Sequence, residues 1–175
     1  MSFRPLAAAI ALAACNPQPA VPRAPSAAVE PPDARRPPNT DSTAPSAPPG
    51  VRFIAAAADG DAATLVRAAR ARASREGRVL LVYVGATWCE PCQHFHHAVE
   101  AHQLDESFPR LTLVEFDLDR DRARLGPAGY LSQSIPLFAV PGPDGRSSGR
   151  HMEGSVQGEG SVQEIVPRLR ALIGG

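Results

Sequence analysis

The spacing of apolar residues along positions 51–175 alternates between two periods, which predict helices and strands in turn. Residues 61–75 carry apolar side chains at helical spacing, with arginines mostly on the other face, which is typical of an amphipathic helix. Residues 79–85 are a continuous apolar run of strand-forming residues, as expected for a strand that is covered on both faces. A second helix is predicted over about residues 89–101, followed by a strand at 111–117.

The C-terminal part of the chain contains shorter predicted elements. Residues 118–130 are predicted as a short helical or irregular piece, followed by a strand at 137–140 and a turn at 141–145. Residues 150–153 are predicted as an edge strand. Helices that alternate with strands in this way indicate an α/β layer fold with parallel pairing, closed by an antiparallel hairpin.

A terminal helix is predicted from Ser161, because Ser161 and Glu164 have the spacing of a capping box. Pro167 lies inside this segment and lacks a backbone N–H, so the helix is expected to kink there or to begin later. Residues 51–175 contain no visible repeat, and a segment of this length is sufficient for one independent core.

The first 50 residues have a different composition from the predicted domain. Residues 1–14 contain one arginine and then a short apolar run, which is typical of a signal peptide and too short to span a bilayer. The Leu-Ala-Ala-Cys sequence ending at Cys15 resembles the lipobox of bacterial lipoproteins, which implies cleavage before Cys15 and acylation of that residue. Residues 15–50 are rich in proline and are expected to be a solvated linker. An ordinary signal peptide with an unrelated cysteine, and retention in the cytosol, are the alternatives.

Charge and composition exclude several classes of function. The chain has 18 basic and 18 acidic residues, so no clustered basic surface for nucleic acid is expected. Every basic residue apart from histidine is arginine. The absence of lysine excludes both Schiff-base chemistry on a lysine amine and a Walker-type phosphate loop.

Two of the three cysteines lie where the buried strand is predicted to end and a helix to begin, in the sequence Trp88-Cys89-Glu90-Pro91-Cys92. The N-terminal end of a helix stabilises a thiolate, and one pKa unit is the expected order of the effect on Cys89. Cys92 follows three residues later and is within reach to resolve a mixed disulfide. Pro91 suits a first helical turn, whereas the carboxylate of Glu90 opposes thiolate formation.

Residues 52–173 resemble the thioredoxin superfamily. The features that carry the resemblance are the strand at 79–85, the Trp-Cys-x-Pro-Cys motif at 88–92, Tyr130, Ile135-Pro136 and Gly154. The resemblance implies a thioredoxin-like fold, in which a central mixed sheet is flanked by helices. It also implies that Cys89 is the attacking thiol and Cys92 the resolving thiol, and that Trp88, Ile135 and Pro136 shape the docking groove. In the family this proline is cis and lies beside the cysteines; a trans proline at a strand edge is the alternative.

The sequence departs from the family at the site that relays a proton to the second cysteine. The buried aspartate that is common in the family corresponds to Tyr83, and its lysine partner corresponds to Glu115. We hypothesise that the Tyr83 hydroxyl donates a hydrogen bond to Glu115 and that this pair replaces the relay.

The resemblance implies an enzyme that is a thiol–disulfide oxidoreductase of the bacterial cell envelope, similar to cytochrome-c-maturation and disulfide-relay thioredoxins. Glu90 and Ile135 favour the reducing direction. No cofactor is expected, because the cysteine pair itself stores the electrons. The expected partners are disulfide-containing envelope proteins, a redox partner and, through the lipid anchor, a membrane whose periplasmic or exterior side the domain faces.

Three alternatives remain open for the cysteine pair. Cys89, Cys92 and His96 form a candidate soft-ligand set for Cu or Zn, since His96 lies one helical turn after Cys92. This alternative describes a membrane-tethered metal-binding protein of the same fold. The second alternative is that the two cysteines form a structural disulfide. The third is that they belong to a redox-silent adhesion or scaffold domain.

Overall fold

The computed structural model describes residues 48–154 and 156–174. The predicted signal peptide at 1–14, Cys15 and nearly all of the linker lie outside the described residues. Within the described ranges, no helix combines the length and the apolar character that crossing a bilayer requires.

The described residues form one mixed sheet of five strands, in the order β1-β3-β2-β4-β5. The strands are β1 (Gly50–Ala55), β2 (Val79–Gly85), β3 (Arg110–Asp117), β4 (Leu137–Pro141) and β5 (Ser147–Glu153). β3 pairs in parallel with β1 on one side and with β2 on the other. β4 pairs antiparallel with both β2 and β5. The predicted parallel pairing closed by an antiparallel hairpin is confirmed.

Four helices accompany the sheet in the described part of the chain: α1 (Ala62–Arg75), α2 (Glu90–Glu100), α3 (Leu118–Ala128) and α4 (Ser161–Gly174). The chain crosses the sheet in opposite directions from β1 to β2 and from β2 to β3. Right-handed crossovers therefore put α1 and α2 on opposite faces. α3 packs with α1, and α4 packs with α2. The arrangement is the thioredoxin-like fold that the sequence predicts.

The structure decides three local points that the sequence pattern missed or left open. The pattern predicts no element at residues 50–55, but they form β1, a short edge strand in which Arg52 interrupts the apolar residues. Residues 118–130, for which the pattern left helix and irregular structure open, are mostly the helix α3, with Asp117 as its N-cap. α4 begins at Ser161 and runs through Pro167, so its start is not delayed by the proline.

A buried arginine holds the beginning of the domain against the sheet. Arg78 is only 6% exposed. Its guanidinium donates to the carbonyls of Pro48, at 2.8 Å, and Gly50, and also to Leu111 O at 2.6 Å and Thr112 Oγ1 at 2.8 Å. Burial lowers the pKa of Arg78, and these acceptors compensate for the lost hydration of the cation.

The two ends of β3 separate the start of the described chain from the strand end that leads to the cysteines. Gly50 pairs with Arg110 at one end of β3, and Gly85 pairs with Asp117 at the other. Seven residues of strand correspond to roughly 23 Å. The described chain therefore enters the sheet at one end of the parallel strands, and α2 begins beyond their other end.

An aromatic cluster supports α2 from the sheet. Phe95 of α2 lies 4.9 Å, centroid to centroid, from Phe138 of β4, and Phe138 lies 5.3 Å from Tyr83 of β2. Phe53 of β1 contacts Tyr83 edge-on at 5.2 Å. Edge-to-face contacts of this kind stabilise a core beyond their buried area, so α2 is held to three strands.

We predict that Gly145→Ala lowers the free energy of unfolding much more than Gly149→Ala. Both glycines have positive φ, of 83° and 85°. A Cβ at Gly145 would lie 1.9 Å from the backbone oxygen of Ala63 in α1, whereas a Cβ at Gly149 meets nothing within 4 Å. Backbone strain alone costs about 1–2 kcal/mol, and overpacking adds about 1–3 kcal/mol at Gly145. Urea unfolding measures both variants, and equal losses would contradict the close packing of this turn on α1.

Candidate functional site

A disulfide joins Cys89 and Cys92 at the point where β2 leads into α2. The two sulfur atoms are 2.07 Å apart. Cys89 is the N-cap residue of α2, and its Sγ accepts a hydrogen bond from the backbone N–H of Cys92 at 3.3 Å. Pro91 lies in the first helical turn, as predicted. The first N–H groups of a helix have no partner within it, so in the reduced protein the same N–H stabilises a thiolate on Cys89.

The two cysteines line different depressions in the protein. Cys89 and Cys92 are 4% and 2% exposed, so neither side chain is broadly open to solvent. Cys89 nevertheless lines a surface groove with a volume of about 860 Å³. Cys92 instead lines a second depression of about 410 Å³, which is open to the surface to a similar degree and is called the cavity below. The groove thus borders Cys89, whereas the cavity borders Cys92.

The peptide bond between Ile135 and Pro136 is cis, as the resemblance implied. The carbonyl oxygen of Ile135 lies 3.7 Å from the Sγ of Cys89, so this segment forms the wall of the groove next to the sulfur. Gly154 packs against the proline ring, where an added Cβ would lie 2.8 Å from Pro136 Cδ. This close approach explains why glycine occupies the position.

Trp88 and Glu90 flank the disulfide on the protein surface. The Trp88 side chain is exposed, and its Nε1 donates to Asp119 Oδ2 at 2.8 Å. This hydrogen bond fixes the orientation of the indole beside the groove. Oε1 of Glu90 lies 3.7 Å from Nε2 of His94, one turn later on α2. The carboxylate of Glu90 therefore shares the surface of α2 with an imidazole.

The hypothesis that Tyr83 donates a hydrogen bond to Glu115 is wrong. The Tyr83 hydroxyl is buried and has no hydrogen-bond partner among the described residues. Burial, together with the neighbouring carboxylate of Glu115, raises the pKa of Tyr83. Glu115 instead interacts through Oε1 with Nε2 of His96, at 2.7 Å. The pairing differs because His96 reaches from α2 to β3, where the sequence alone did not indicate a competing donor.

The metal-binding alternative finds no preassembled ligand set in the structure. The Cys89 and Cys92 sulfurs are bonded to each other, and Nε2 of His96 is held by Glu115. Over residues 48–154 and 156–174, no three His, Cys, Asp or Glu side chains are grouped so as to hold a metal ion. The three predicted ligands therefore lack the convergent geometry that a soft-metal site requires.

Comparisons with known proteins return similar solved structures only. No family model and no curated protein sequence matches the chain. A poplar thioredoxin h is 20% identical, with a TM-score of 0.43, and the match covers 72% of this chain and 98% of that one. The oxidised thioredoxin of Plasmodium falciparum is 15% identical, with a TM-score of 0.41, and the match covers 69% and 99% of the two chains. A chloroplastic thioredoxin z is 20% identical, with a TM-score of 0.38, and the match covers 70% and 96%.

The strand order, the disulfide at the start of α2 and the cis proline beside it together define the class of protein. This chain is a thioredoxin-fold protein with a Cys-x-x-Cys disulfide.

Two partners in this region were not found from the sequence. Asp119, which orients Trp88, lies 31 residues further along the chain, and no local pattern connects the two. His96 was considered only as a metal ligand. Its spacing of one helical turn from Cys92 was the available signal, but the sequence did not indicate that it would reach Glu115 on β3.

We predict that Tyr83→Phe leaves the free energy of unfolding unchanged or raises it by up to about 1 kcal/mol, because the lost hydroxyl is buried without a partner. Tyr130→Phe is the matched control. The Tyr130 hydroxyl is also buried but donates to Gly145 O at 2.7 Å. Its loss is expected to cost about 1–3 kcal/mol. Denaturant unfolding of both variants checks the contrast, and a large loss in Tyr83→Phe would reveal a partner for this hydroxyl.

Proposed function

We propose that this protein is a thiol–disulfide oxidoreductase that acts on protein disulfides, with a preference for reducing them. The observation that carries the proposal is the Cys89–Cys92 disulfide at the start of α2, where Cys89 lines a groove next to the carbonyl of Ile135. A cysteine at a helix N-terminus has the lowered thiol pKa that nucleophilic exchange requires.

The groove has the properties of a surface that binds a polypeptide. Four large apolar side chains are exposed among the described residues, and three of them line this groove: Trp88 (64%), Leu131 (46%) and Val156 (41%). Exposed apolar groups gathered at one place indicate an interaction surface. The Ile135 carbonyl beside the sulfur supports pairing with an extended chain through main-chain hydrogen bonds, which suits clients of varied sequence.

The reaction proceeds by two successive exchanges in the reduced protein. The Cys89 thiolate attacks one sulfur of a client disulfide, and the other client sulfur leaves as a thiolate. Cys92 then attacks Cys89 Sγ, and the second client sulfur leaves with its electron pair. The client gains two electrons and the protein is left with the Cys89–Cys92 disulfide. The cysteine pair carries these electrons, so the exchange itself uses no cofactor.

The direction of electron flow is proposed from the charges near Cys89. A strongly stabilised thiolate makes a dithiol a poor reductant, because the reduced form of the cysteine pair is then favoured over the disulfide. The carboxylate of Glu90 lies directly after Cys89 and disfavours the thiolate, although His94 at 3.7 Å moderates this effect. Glu90 therefore favours the reducing direction.

The cell envelope is the proposed location, with the domain tethered to a bacterial membrane. Residues 1–14 would direct secretion, Cys15 would carry the lipid and the proline-rich linker would extend to the domain. The first described residues lie at one end of the parallel strands, and the end of β2 that leads to Cys89 lies at the other. A tether attached there is compatible with a groove that faces away from the membrane. The proposed partners are disulfide-containing envelope proteins and a reductant that regenerates the dithiol, and no nucleic acid is involved.

We predict that the Cys92→Ala variant, with Cys89 intact, accumulates mixed disulfides with envelope proteins. The reason is that the trapped intermediate lacks its resolving thiol. Non-reducing electrophoresis after acid quenching and alkylation measures these adducts. The Cys89→Ser/Cys92→Ala variant is the matched control and should form none. If Cys92→Ala traps no more protein than this control, and the wild-type protein does not reduce the disulfides of insulin, the proposed function is wrong.

We predict that Cys15→Ser abolishes labelling by a radioactive fatty acid, because the thiol that receives the lipid is lost. Cys89→Ser is the control and should be labelled as in the wild-type protein. Labelling that survives in Cys15→Ser would contradict the lipid anchor while leaving the redox proposal intact.

A further inference from the structure

The cavity lined by Cys92 is also lined by a carboxylate–imidazole pair, Glu115 and His96, that takes no part in the exchange steps described above. Nε2 of His96 and Oε1 of Glu115 are 2.7 Å apart, and both residues line the cavity together with Cys92. The side chains are 29% and 30% exposed, so the pair is partly shielded from solvent. The pair therefore borders the same cavity as Cys92 and not the groove lined by Cys89.

The surroundings fix the orientation of the imidazole. The His96 ring stacks on Phe53 at 4.0 Å with an interplanar angle of 6°, and meets Tyr83 edge-on at 5.5 Å. A carboxylate only accepts hydrogen bonds, so in the neutral ring Nε2 carries the proton and Nδ1 carries the lone pair. The lone pair of Nδ1 is therefore the atom of this pair that can accept a proton.

The second exchange step needs a proton acceptor near Cys92. A thiol with an ordinary pKa of about 8.5 is only about 3% thiolate at pH 7. The other titratable or charged groups that line the cavity are Tyr83, His97, Glu100, Asp117 and Arg120. Arg120 cannot accept a proton, and burial keeps Tyr83 in its protonated form. A volume of about 410 Å³ has room for water that connects Cys92 to the pair.

We propose that the His96–Glu115 pair accepts the proton of Cys92 in the step that resolves the mixed disulfide, an inference that rests on the proposed oxidoreductase function. The Cys92 proton moves to Nδ1 of His96 through the cavity, and Cys92 Sγ forms its bond to Cys89 Sγ. The bond between Cys89 and the client sulfur breaks, and that sulfur leaves as a thiolate with the electron pair. The imidazolium then releases its proton to solvent or to the departing thiolate, which restores the neutral pair.

The test separates the two exchange steps by using dithiodipyridine as the probe disulfide. When the reduced protein is mixed with it, attack by Cys89 releases the first thiopyridone, and resolution by Cys92 releases the second. We expect His96→Gln to slow the second release by about 10- to 30-fold at pH 7, the advantage that an acceptor gives over a thiol that is about 3% ionised. The first release should change by less than about 2-fold, because Cys89 ionises at the helix N-terminus.

The pH profile distinguishes a proton acceptor from a structural role. In His96→Gln the rate of the second release should rise about tenfold per pH unit up to the thiol pKa and should approach the wild-type rate near pH 9. Glu115→Gln, which keeps the shape of the carboxylate but not its charge, should slow the same step less. The control is His97→Gln, the same substitution at the next residue, which also lines the cavity. It should leave both releases unchanged.

The inference is overturned if the second release in His96→Gln has the same rate and pH profile as in His97→Gln. It is also overturned if the first release slows by the same factor as the second in both His96→Gln and Glu115→Gln. The proposed function is tested separately with a protein client. If the wild-type protein shows both releases and the expected loss in His96→Gln, but does not reduce insulin, and Cys92→Ala traps no more envelope protein than its control, the proton acceptor stands and the proposed function fails.

Discussion

The hydrogen bond from the backbone N–H of Cys92 to the sulfur of Cys89 is the interaction on which the site depends. It exists because β2, buried between β3 and β4, ends at Gly85 and the chain turns directly into α2. The turn makes Cys89 the N-cap, so an N–H group that has no partner inside the helix is directed at the sulfur. The geometry of a strand-to-helix connection thus places a backbone hydrogen-bond donor at one of the two sulfurs.

The helix also gives the two sulfurs different surroundings. Cys89 lines a groove with exposed apolar side chains, which is suited to a client, whereas Cys92 lines a cavity with an imidazole and a carboxylate. This separation matches the chemistry of exchange, in which the first thiol must be accessible and the second must lose a proton at the right moment. The aromatic contacts of Phe95 and Phe138 keep α2 against the sheet, and so keep the two environments apart.

The family resemblance was informative where this chain follows the pattern and misleading where it departs from it. Ile135-Pro136 has the expected cis bond beside Cys89. Tyr83 and Glu115 are cross-strand neighbours in register on β2 and β3, but neighbouring positions did not produce the hypothesised hydrogen bond. His96 provides the partner of Glu115 from a different element, because its ring lies against Phe53 of β1. Glu115 is therefore paired with a residue of α2 and not with its cross-strand neighbour.

The sequence by itself determined the elements whose signals are local. The apolar run of β2 and the helical spacing of α1 were predicted at or within a residue of their observed bounds, because these patterns depend only on neighbours along the chain. The Cys-Glu-Pro-Cys sequence likewise defined the redox pair. Only the tertiary structure decided that residues 50–55 form an edge strand, that Asp119 orients Trp88 and that His96 pairs with Glu115. Each of these depends on contacts between side chains or strands that are distant in sequence, and such contacts are set by packing rather than by a periodic pattern.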